Sequence, residues 1–264
     1  STQGVSSAAS DVYKRQVILI TRNEESNLDD CLASLDGIAQ QIVVVDSNST
    51  DRTLEIANRH GALMAYPSDW PGFGPQKNRA LDLATCDWVL SLDADERLTP
   101  ALKSEILTAI NHSAQVDCFA IPRLSWYCGR FIRHSGWSPD YVDRLFRRGT
   151  ARFSDDLVHE RLIPNGTVAK LENPMLHFSF MNYAQVLDKL NRYSTASAAQ
   201  AFAQGKTSSP LKAVLHGMWA FVRTYILRAG FLDGPQGFAL AISNAQGTYY
   251  RYMKLWQLHQ DSGK

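Results

Sequence analysis

Residues 88–97 read Trp88-Val89-Leu90-Ser91-Leu92-Asp93-Ala94-Asp95-Glu96-Arg97. Three of the four residues from Val89 to Leu92 are apolar, and the run is too short for a helix of its own. It predicts a buried strand. The strand stops in two carboxylates, Asp93 and Asp95, with Glu96 next. A strand buried on both faces that ends in acids carries charge to the rim of a sheet. Residues two apart in extended backbone point the same way, so Asp93 and Asp95 are expected on one side. Carboxylates that close repel unless a cation sits between them. Hard oxygen donors with room for water and phosphate suit Mg²⁺ or Mn²⁺. The structural alternative is that Asp93 starts a turn and Asp95 caps the next helix.

The same grammar repeats on the N-terminal side. Val17–Ile20 is an apolar run ending in Thr21-Arg22-Asn23-Glu24-Glu25. Ile42–Val45 is a β-branched run ending in Asp46-Ser47-Asn48-Ser49-Thr50-Asp51. Helical spacing of Leu28, Cys31, Leu32 and Leu35, closed by Gly37, predicts a helix between them. A second helix has Leu54 and Ala57 inside and stops at Gly61, before a third strand, 63–65. Residues 67–75 are too rich in Gly and Pro for regular structure. A helix from about Gln76 to Ala84 leads into the Asp-Ala-Asp strand. Thr99-Pro100 opens the next helix, with Leu102, Ile106, Leu107 and Ile110 inside. Such alternation implies an α/β fold: a doubly wound, Rossmann-like, mostly parallel sheet flanked by helices. In such sheets ligands bind at the carboxyl ends of the strands.

After a strand at 118–121 the pattern changes. Residues 123–152 hold seven arginines and two acids, Asp140 and Asp143, and read as hairpins and loops. Strands are expected at 142–146 and 158–163. From Asn182 onward the chain turns helical. One stripe is Tyr183, Val186, Leu187, Leu190 and Tyr193. A second is Leu211, Val214, Leu215, Met218, Val222 and Tyr225. Phe238, Ile242, Tyr249, Tyr252 and Trp256 mark a last helix. The expected division is a polar tail at 1–15, an α/β domain at 16–180 and a helical C-terminal extension at 181–264.

The totals exclude some classes. Net charge is +1 over 264 residues, which gives no global pull toward nucleic acid. The four cysteines have no C-x-x-C spacing, and Cys31, Cys86 and Cys118 look like small buried residues of a reduced, cytoplasmic protein. Residues 1–15 lack an apolar segment, so they read as neither signal peptide nor span. No G-x-G-x-x-G follows the first strand and no Walker loop is present, which argues against dinucleotide dehydrogenases and P-loop enzymes.

Several residues are candidates for chemistry. Asp46, at a strand end, can bond a base or ribose, or it can hold a turn in which Ser49 or Thr50 caps a helix. Lys77 and Arg79 are placed to meet phosphate, or are solvated helix charges. Glu160, in Asp155-Asp156-Leu157-Val158-His159-Glu160, is far enough in sequence from the paired acids to serve as a general base. Asp156 is the second choice. Arg144, Arg147 and Arg148 are pyrophosphate clamps or a solvated face. His177 reads as a hydrogen-bonded, buried histidine.

Together these residues resemble the family 2 inverting glycosyltransferases of GT-A fold. The resemblance rests on Ile18–Glu25, Val43–Asp51, Gln76-Lys77-Asn78-Arg79-Ala80 and Trp88–Glu96, in that order. Ile20 and Arg22 stand where the family usually has Pro and Tyr, which bears on base stacking. Arg144-Leu145-Phe146-Arg147, Val158-His159-Glu160, His177-Phe178-Ser179-Phe180 and Lys189–Tyr193 resemble a narrower group, the bacterial lipopolysaccharide core β-glucosyltransferases. The resemblance implies a UDP-sugar donor gripped by Thr21, Arg22, Glu24, Asp46, Lys77, Asp93 and Arg144. It implies Asp95 as ligand to a divalent cation, Mg or Mn, and Glu160 as base. It implies hexose transfer, by one displacement, to a lipid-linked inner-core saccharide.

Two other classes compete with this reading. A sugar-nucleotide nucleotidyltransferase should carry a glycine-rich loop after the first strand, and Thr21–Glu25 has no glycine. A non-catalytic nucleotide-binding protein needs neither base nor metal carboxylates. Finally, the helix from about Pro210 to Arg228 carries Trp219, Phe221, Ile226 and Leu227 outside its stripe, with only positive charges, Lys212, Arg223 and Arg228. That composition suits an anionic membrane surface. It is too short to span. Peripheral attachment to the cytoplasmic face of the inner membrane is the expectation, against an ordinary packed helix.

Overall fold

The computed structural model describes residues 13–155 and 160–262. The polar tail through residue 12, the second-choice base Asp156, and the start of the strand expected at 158–163 lie outside the described residues. Two compact units are formed. The first comprises residues up to Pro122 together with Tyr141–Leu176, the second Arg123–Asp140 together with the chain from His177.

The first unit is built on strands β1 (Arg15–Thr21), β2 (Gln41–Asp46), β3 (Leu63–Ala65) and β4 (Trp88–Ser91). Their order is β3-β2-β1-β4, all parallel. β8 (Asp140–Arg147) pairs antiparallel with β4, and β6 (Cys118–Tyr127) follows β8. The fold is therefore α/β with a sheet that is parallel from β3 to β4 and turns mixed beyond β4. Of the short strands, β5 (Glu96–Arg97), β7 (Arg130–Phe131) and β11 (Val168–Lys170) belong to the same sheet, β9 (Ala151–Phe153) pairs antiparallel with β10 (Leu162–Pro164), and β12 (Met175–Phe180) runs from the first unit into the second. Val17, Val43, Val44, Trp88 and Val89 are wholly buried. This is why the strands read as near-continuous apolar runs rather than alternating ones.

Helices α1 (Leu28–Ala33), α2 (Thr53–Arg59), α3 (Phe73–Asp82) and α4 (Pro100–His112) belong to this unit. Leu28, Cys31, Leu32, Leu102, Ile106 and Ile110 pack into one apolar cluster with the strands. The Thr99 hydroxyl accepts the Leu102 N–H at 3.1 Å, the expected N-cap with proline at the first helical position. Two boundaries differ from the sequence reading. Ile56, not Leu54, is the buried partner of Ala57 in α2. α3 begins at Phe73, inside the Gly-Pro segment, because proline in a first turn forfeits no intrahelical bond.

The larger correction concerns Asp93 and Asp95. β4 ends at Ser91, and the two acids sit in a turn closed by the Glu96 N–H donating to the Asp93 carbonyl at 2.9 Å. The extended-strand argument for a shared side does not hold there. The alternative that Asp93 starts a turn is what the backbone does.

The second unit contains the end of β6, β7, the end of β12 and the helices α5 (Tyr183–Ala203), α6 (Pro210–Val222) and α7 (Gly234–Ser262), with a π-helical turn at Arg223–Leu227 and a 3₁₀ turn at Gly230–Asp233. Its packing inverts two sequence expectations. α6 turns its small residues inward, Ala213, Gly217 and Ala220. Leu211, Leu215, Met218 and Trp219 are 68%, 56%, 62% and 54% exposed. In α5 the inner residues are Val186, Ser194, Ala198 and Ala201, while Tyr183, Leu187 and Tyr193 face outward. Small residues let α6 and α7 approach closely: a methyl on Gly217 would lie 3.2 Å from the Ala245 carbonyl oxygen. Among the described residues no helix is long and apolar enough to cross a membrane.

Candidate active site

The loops after β1 and β2 are laced into one structure. Asn23, at φ 55°, accepts the Thr50 N–H at 2.8 Å on its side-chain oxygen, and its own N–H donates to the Ser49 hydroxyl at 2.8 Å. The Glu24 N–H donates to the Thr53 hydroxyl at 2.7 Å. Asp46 is 1% exposed and central to this lacing. One of its oxygens accepts the Ser49 N–H at 2.8 Å. The other accepts the Thr21 hydroxyl at 2.9 Å and the Ser49 hydroxyl at 2.6 Å. The hydrogen bonds follow the turn reading of Asp46: it holds the loop, at the carboxyl end of β2.

α3 carries three consecutive buried polar side chains, and each reaches a different element. Gln76 donates to the Ser47 hydroxyl at 3.1 Å. Asn78 exchanges two hydrogen bonds with the backbone of Phe153 in β9, at 2.9 and 3.0 Å. Lys77 lies between them, 5% exposed, with its ammonium 2.9 Å from Asp93 and 3.2 Å from Glu160. Gly74 permits this close approach, because a Cβ there would fall 1.8 Å from the Ser154 carbonyl oxygen.

On the other side of Asp93 stands Arg144 from β8. It is 6% exposed, pairs with Asp93, and donates to Glu96 at 2.7 Å. Glu96 is fully buried and also accepts the Asp93 N–H at 2.9 Å. Burial disfavours the charged form of Asp93, but the flanking Arg144 and Lys77 outweigh it and hold its carboxyl well below the usual range. Burial likewise opposes the Arg144 charge, and Asp93 and Glu96 overcome it, raising its pKa. The result is one ionic chain, Glu160–Lys77–Asp93–Arg144–Glu96, within the first unit. Burial this deep costs more than surface pairing returns, so the chain has a stake in geometry.

Arg147, Arg148 and Arg79 have structural work. Arg147 stacks on Trp88, 4.6 Å from the ring centroid, and donates to the Val116 carbonyl at 3.0 Å. Arg148 donates to the Cys86 carbonyl at 3.0 Å. Arg79 pairs with Asp69 at 2.7 Å on the surface. His177, in the second unit, is half-buried and bonded at Nδ1 to the hydroxyls of Ser125 and Ser179, 3.1 and 3.0 Å away.

Asp95 is half-buried in the turn. Its charge is felt at Glu24, whose pKa is raised by burial first and then by Asp95, Asp51 and Asp93. Glu24, Asp51, Asp93 and Asp95 are thus close enough at the rim for their charges to be felt at Glu24. Among the described residues, no three His, Cys, Asp or Glu side chains converge to hold a metal alone. A single carboxylate fits a cation that takes its other ligands from phosphates and water, as Mg²⁺ commonly does.

Beside the rim is a cavity of about 360 Å³ lined by Ile20, Thr21, Arg22, Glu24, Trp70 and Phe73. Trp70 and Phe73 meet edge to face at 5.0 Å and are 44% and 49% exposed. Sequence reasoning missed both, because they lie in the aperiodic Gly-Pro segment. It also passed over Glu96, whose burial depends on an arginine 48 residues away.

A parallel sheet with acids at its carboxyl rim, a buried lysine between Asp93 and Glu160 and an aromatic-lined cavity alongside make up the candidate site. Residues 16–169 match Glycosyl transferase family 2, and the chain belongs to that family and has its GT-A fold. It is 30% identical to the lipopolysaccharide core biosynthesis glycosyltransferase LpsC of Rhizobium meliloti (strain 1021), over 91% of each chain. It is 30% identical to an uncharacterized glycosyltransferase of Rickettsia conorii, over 95% of this chain and 92% of the relative. Among solved structures, mannosyl-3-phosphoglycerate synthase from Rubrobacter xylanophilus is 25% identical with a TM-score of 0.38, covering 43% of this chain and 41% of that one. A complex of glucosyl-3-phosphoglycerate synthase from Mycobacterium tuberculosis with Mn²⁺ and UDP is 24% identical with a TM-score of 0.36, covering 44% of each chain. Likenesses that low and partial carry no argument about activity.

Proposed function

We propose that this glycosyltransferase is an inverting hexosyltransferase. It moves a hexose, glucose on the sequence resemblance, from a UDP-sugar to a hydroxyl of a lipopolysaccharide inner-core saccharide. The observation that carries the reading is Lys77, whose ammonium bridges Asp93 and Glu160 at 2.9 and 3.2 Å. One buried cation thereby ties a donor-side carboxylate to the candidate base.

In this reading Trp70 and Phe73 supply the aromatic face for the base that the family's usual Tyr would give, since Arg22 stands in that place. Asp46 reaches the nucleoside by trading the Ser49 hydroxyl for one of the ligand's. Asp93, held ionised, accepts from the ribose. Thr21, Arg22 and Glu24 border the same cavity, and Lys77 and Arg144 fix Asp93 from both sides. Asp95 would hold the divalent cation, which when bound neutralises charge on the departing diphosphate.

Glu160 takes the proton of the acceptor hydroxyl. That oxygen forms its bond to the anomeric carbon as the bond from that carbon to the diphosphate oxygen breaks, and configuration inverts. The electron pair leaves with UDP. Preorganised charges of this kind act without reorganising during the reaction. Peripheral attachment to the cytoplasmic face of the inner membrane belongs to the same proposal, supported by the outward apolar face of α6 and by the lipid-linked acceptor. Incubating the enzyme with UDP-hexoses, Mg²⁺ and a heptose-bearing inner-core acceptor tests it. Glycosylated product from a UDP-hexose is expected. Transfer only from GDP- or ADP-sugars would refute the donor assignment.

A further inference from the structure

α6 presents a second feature besides its apolar face. Near its N-terminus is a cavity of about 420 Å³ lined by Lys206, Thr207, Lys212, His216, Arg251 and Tyr252, among others. It is formed by the segment after α5, by α6 and by α7. No lining residue is acidic. None of Lys206, Lys212 and Arg251 has a carboxylate partner among the described residues. His216 lies flat on Tyr252, with ring centroids 4.3 Å apart and planes 2° from parallel, so its ring is held at the cavity wall.

The surrounding charge is mostly positive, with Asp188 and the exposed Asp261 at the two ends of the stretch. From Lys189 to Gln260 the chain contains eight Lys and Arg residues and a single acid, Asp233. Asp233 is 1% exposed and spends its oxygens on the N–H groups of Arg133 and His134 and on the Ser135 hydroxyl. It cannot offset the cavity's cations from inside a buried bonding pattern. Lys212 and His216 are one turn apart on α6, and the neighbouring positions Leu211, Leu215, Met218 and Trp219 form the exposed apolar face. Basic groups and bare apolar side chains therefore alternate along the same helix, within one unit. An anionic bilayer matches both: phosphate for the cations, the headgroup boundary for Leu, Met and Trp.

We infer that this cavity is a binding site for the phosphate of an anionic lipid headgroup, seated while the apolar face of α6 rests in the membrane boundary. The inference rests on the peripheral-membrane reading and adds to it a defined place for one lipid phosphate. Lys206, Lys212 and Arg251 supply the charge-assisted donors, and His216 closes the wall.

Vesicle flotation of the full chain tests it, using phosphatidylcholine vesicles with and without 30% phosphatidylglycerol (roughly 30 mV of negative surface potential is enough to attract basic segments). The cavity variant carries Lys206→Gln, Lys212→Gln and Arg251→Gln. A charge-matched control carries Arg130→Gln, Arg133→Gln and Arg192→Gln. The apolar-face variant carries Leu215→Ser and Met218→Ser. Each is compared at equal melting temperature. The cavity variant is expected to lose anionic-vesicle binding by at least about tenfold, since each basic group near the surface contributes on the order of fivefold. The control should lose distinctly less. Equal losses in both would mean diffuse charge attraction and would overturn the headgroup site while leaving membrane binding in place. A cavity variant that floats like the parent would do the same. A parent chain that does not float, with an unchanged apolar-face variant, would remove the membrane reading itself. Competition by inorganic phosphate at matched ionic strength, equal to that of dihexanoyl-phosphatidylglycerol, would assign the cavity to free phosphate instead of lipid.

Discussion

The ammonium of Lys77 lies 3.2 Å from the carboxylate of Glu160, across 83 residues of sequence. Because the same ammonium is 2.9 Å from Asp93, the base candidate and the sheet-rim acid are spaced by one atom of one side chain. Lys77→Gln keeps a polar group but deletes the charge. Turnover should fall by at least about a hundredfold, the scale of removing one strong electrostatic stabiliser. Steady-state kinetics on the variant checks this, and a kcat within threefold of the parent would show that the bridge does not serve catalysis.

Glu160→Gln preserves shape and removes the proton acceptor. Donor binding should persist while kcat drops by roughly 10²–10⁴. UDP affinity by calorimetry and turnover by product release separate the two effects. Intact turnover here, with Asp156→Asn inactive, would move the base to Asp156.

Asp95→Ala should abolish divalent-cation-dependent transfer, by at least about a hundredfold. At a half-buried turn position the stability cost should be small beside the loss of turnover, about 1 kcal/mol. Glu96→Gln should behave in the opposite way. It leaves the 7%-exposed Arg144 side chain short of a buried partner, and breaking such a pair typically costs about 3–5 kcal/mol. Thermal unfolding of both proteins, with and without Mg²⁺, distinguishes a ligand-holding acid from a structural one.

Much of this was legible in the sequence, for a physical reason. Strands buried on both faces are short apolar runs, so their ends are easy to find, and Thr21, Asp46 and Asp93 fall at those ends. Lys77 stood out as a charge beside a Gly-Pro loop, but its bridge between Asp93 and Glu160, the latter 83 residues from it in sequence, was not in that reading. Three other things were not legible. The turn at Asp93–Asp95 depends on Glu96 reaching back to the Asp93 N–H, and an alternation pattern does not encode that. Trp70 and Phe73 have no periodic context. On α6, the spacing of Leu211, Leu215 and Met218 marks a stripe, but Ala213, Gly217 and Ala220 mark an equally regular one. Periodicity gives the faces of a helix and not which of them is covered.

Glu24 supplies a pH test. Its carboxyl is raised above its ordinary value by burial, and the nearby Asp95, Asp51 and Asp93 add to this. A carboxyl whose folded-state pKa lies above the unfolded one binds its proton more tightly when folded. Stability from this group is therefore greatest below the unfolded pKa and is lost as pH rises through the folded one. Glu24→Gln should raise the melting temperature at pH 7, by about 2–4 °C if the relief is near 1 kcal/mol, and change it little at pH 4. Calorimetry at the two pH values checks the sign. Destabilisation at pH 7 would contradict it.

Trp70→Ala should raise the KM for the UDP-sugar while leaving kcat within a few-fold. Base–aromatic stacking contributes roughly 1–3 kcal/mol in nucleic-acid sites, which is about five- to 150-fold. An unchanged KM would place the base elsewhere on the rim.

The most direct measurement is the anomeric configuration of the product. The α-linked sugar of a UDP-hexose, UDP-α-glucose first, is supplied with Mg²⁺ and a heptose-bearing inner-core acceptor. The anomeric proton coupling of the new linkage is then read by NMR. A single displacement with Glu160 as base predicts a β-linked product, absent with Glu160→Gln. An α-linked product would contradict the account, since it requires retention and a different use of every carboxylate at this rim.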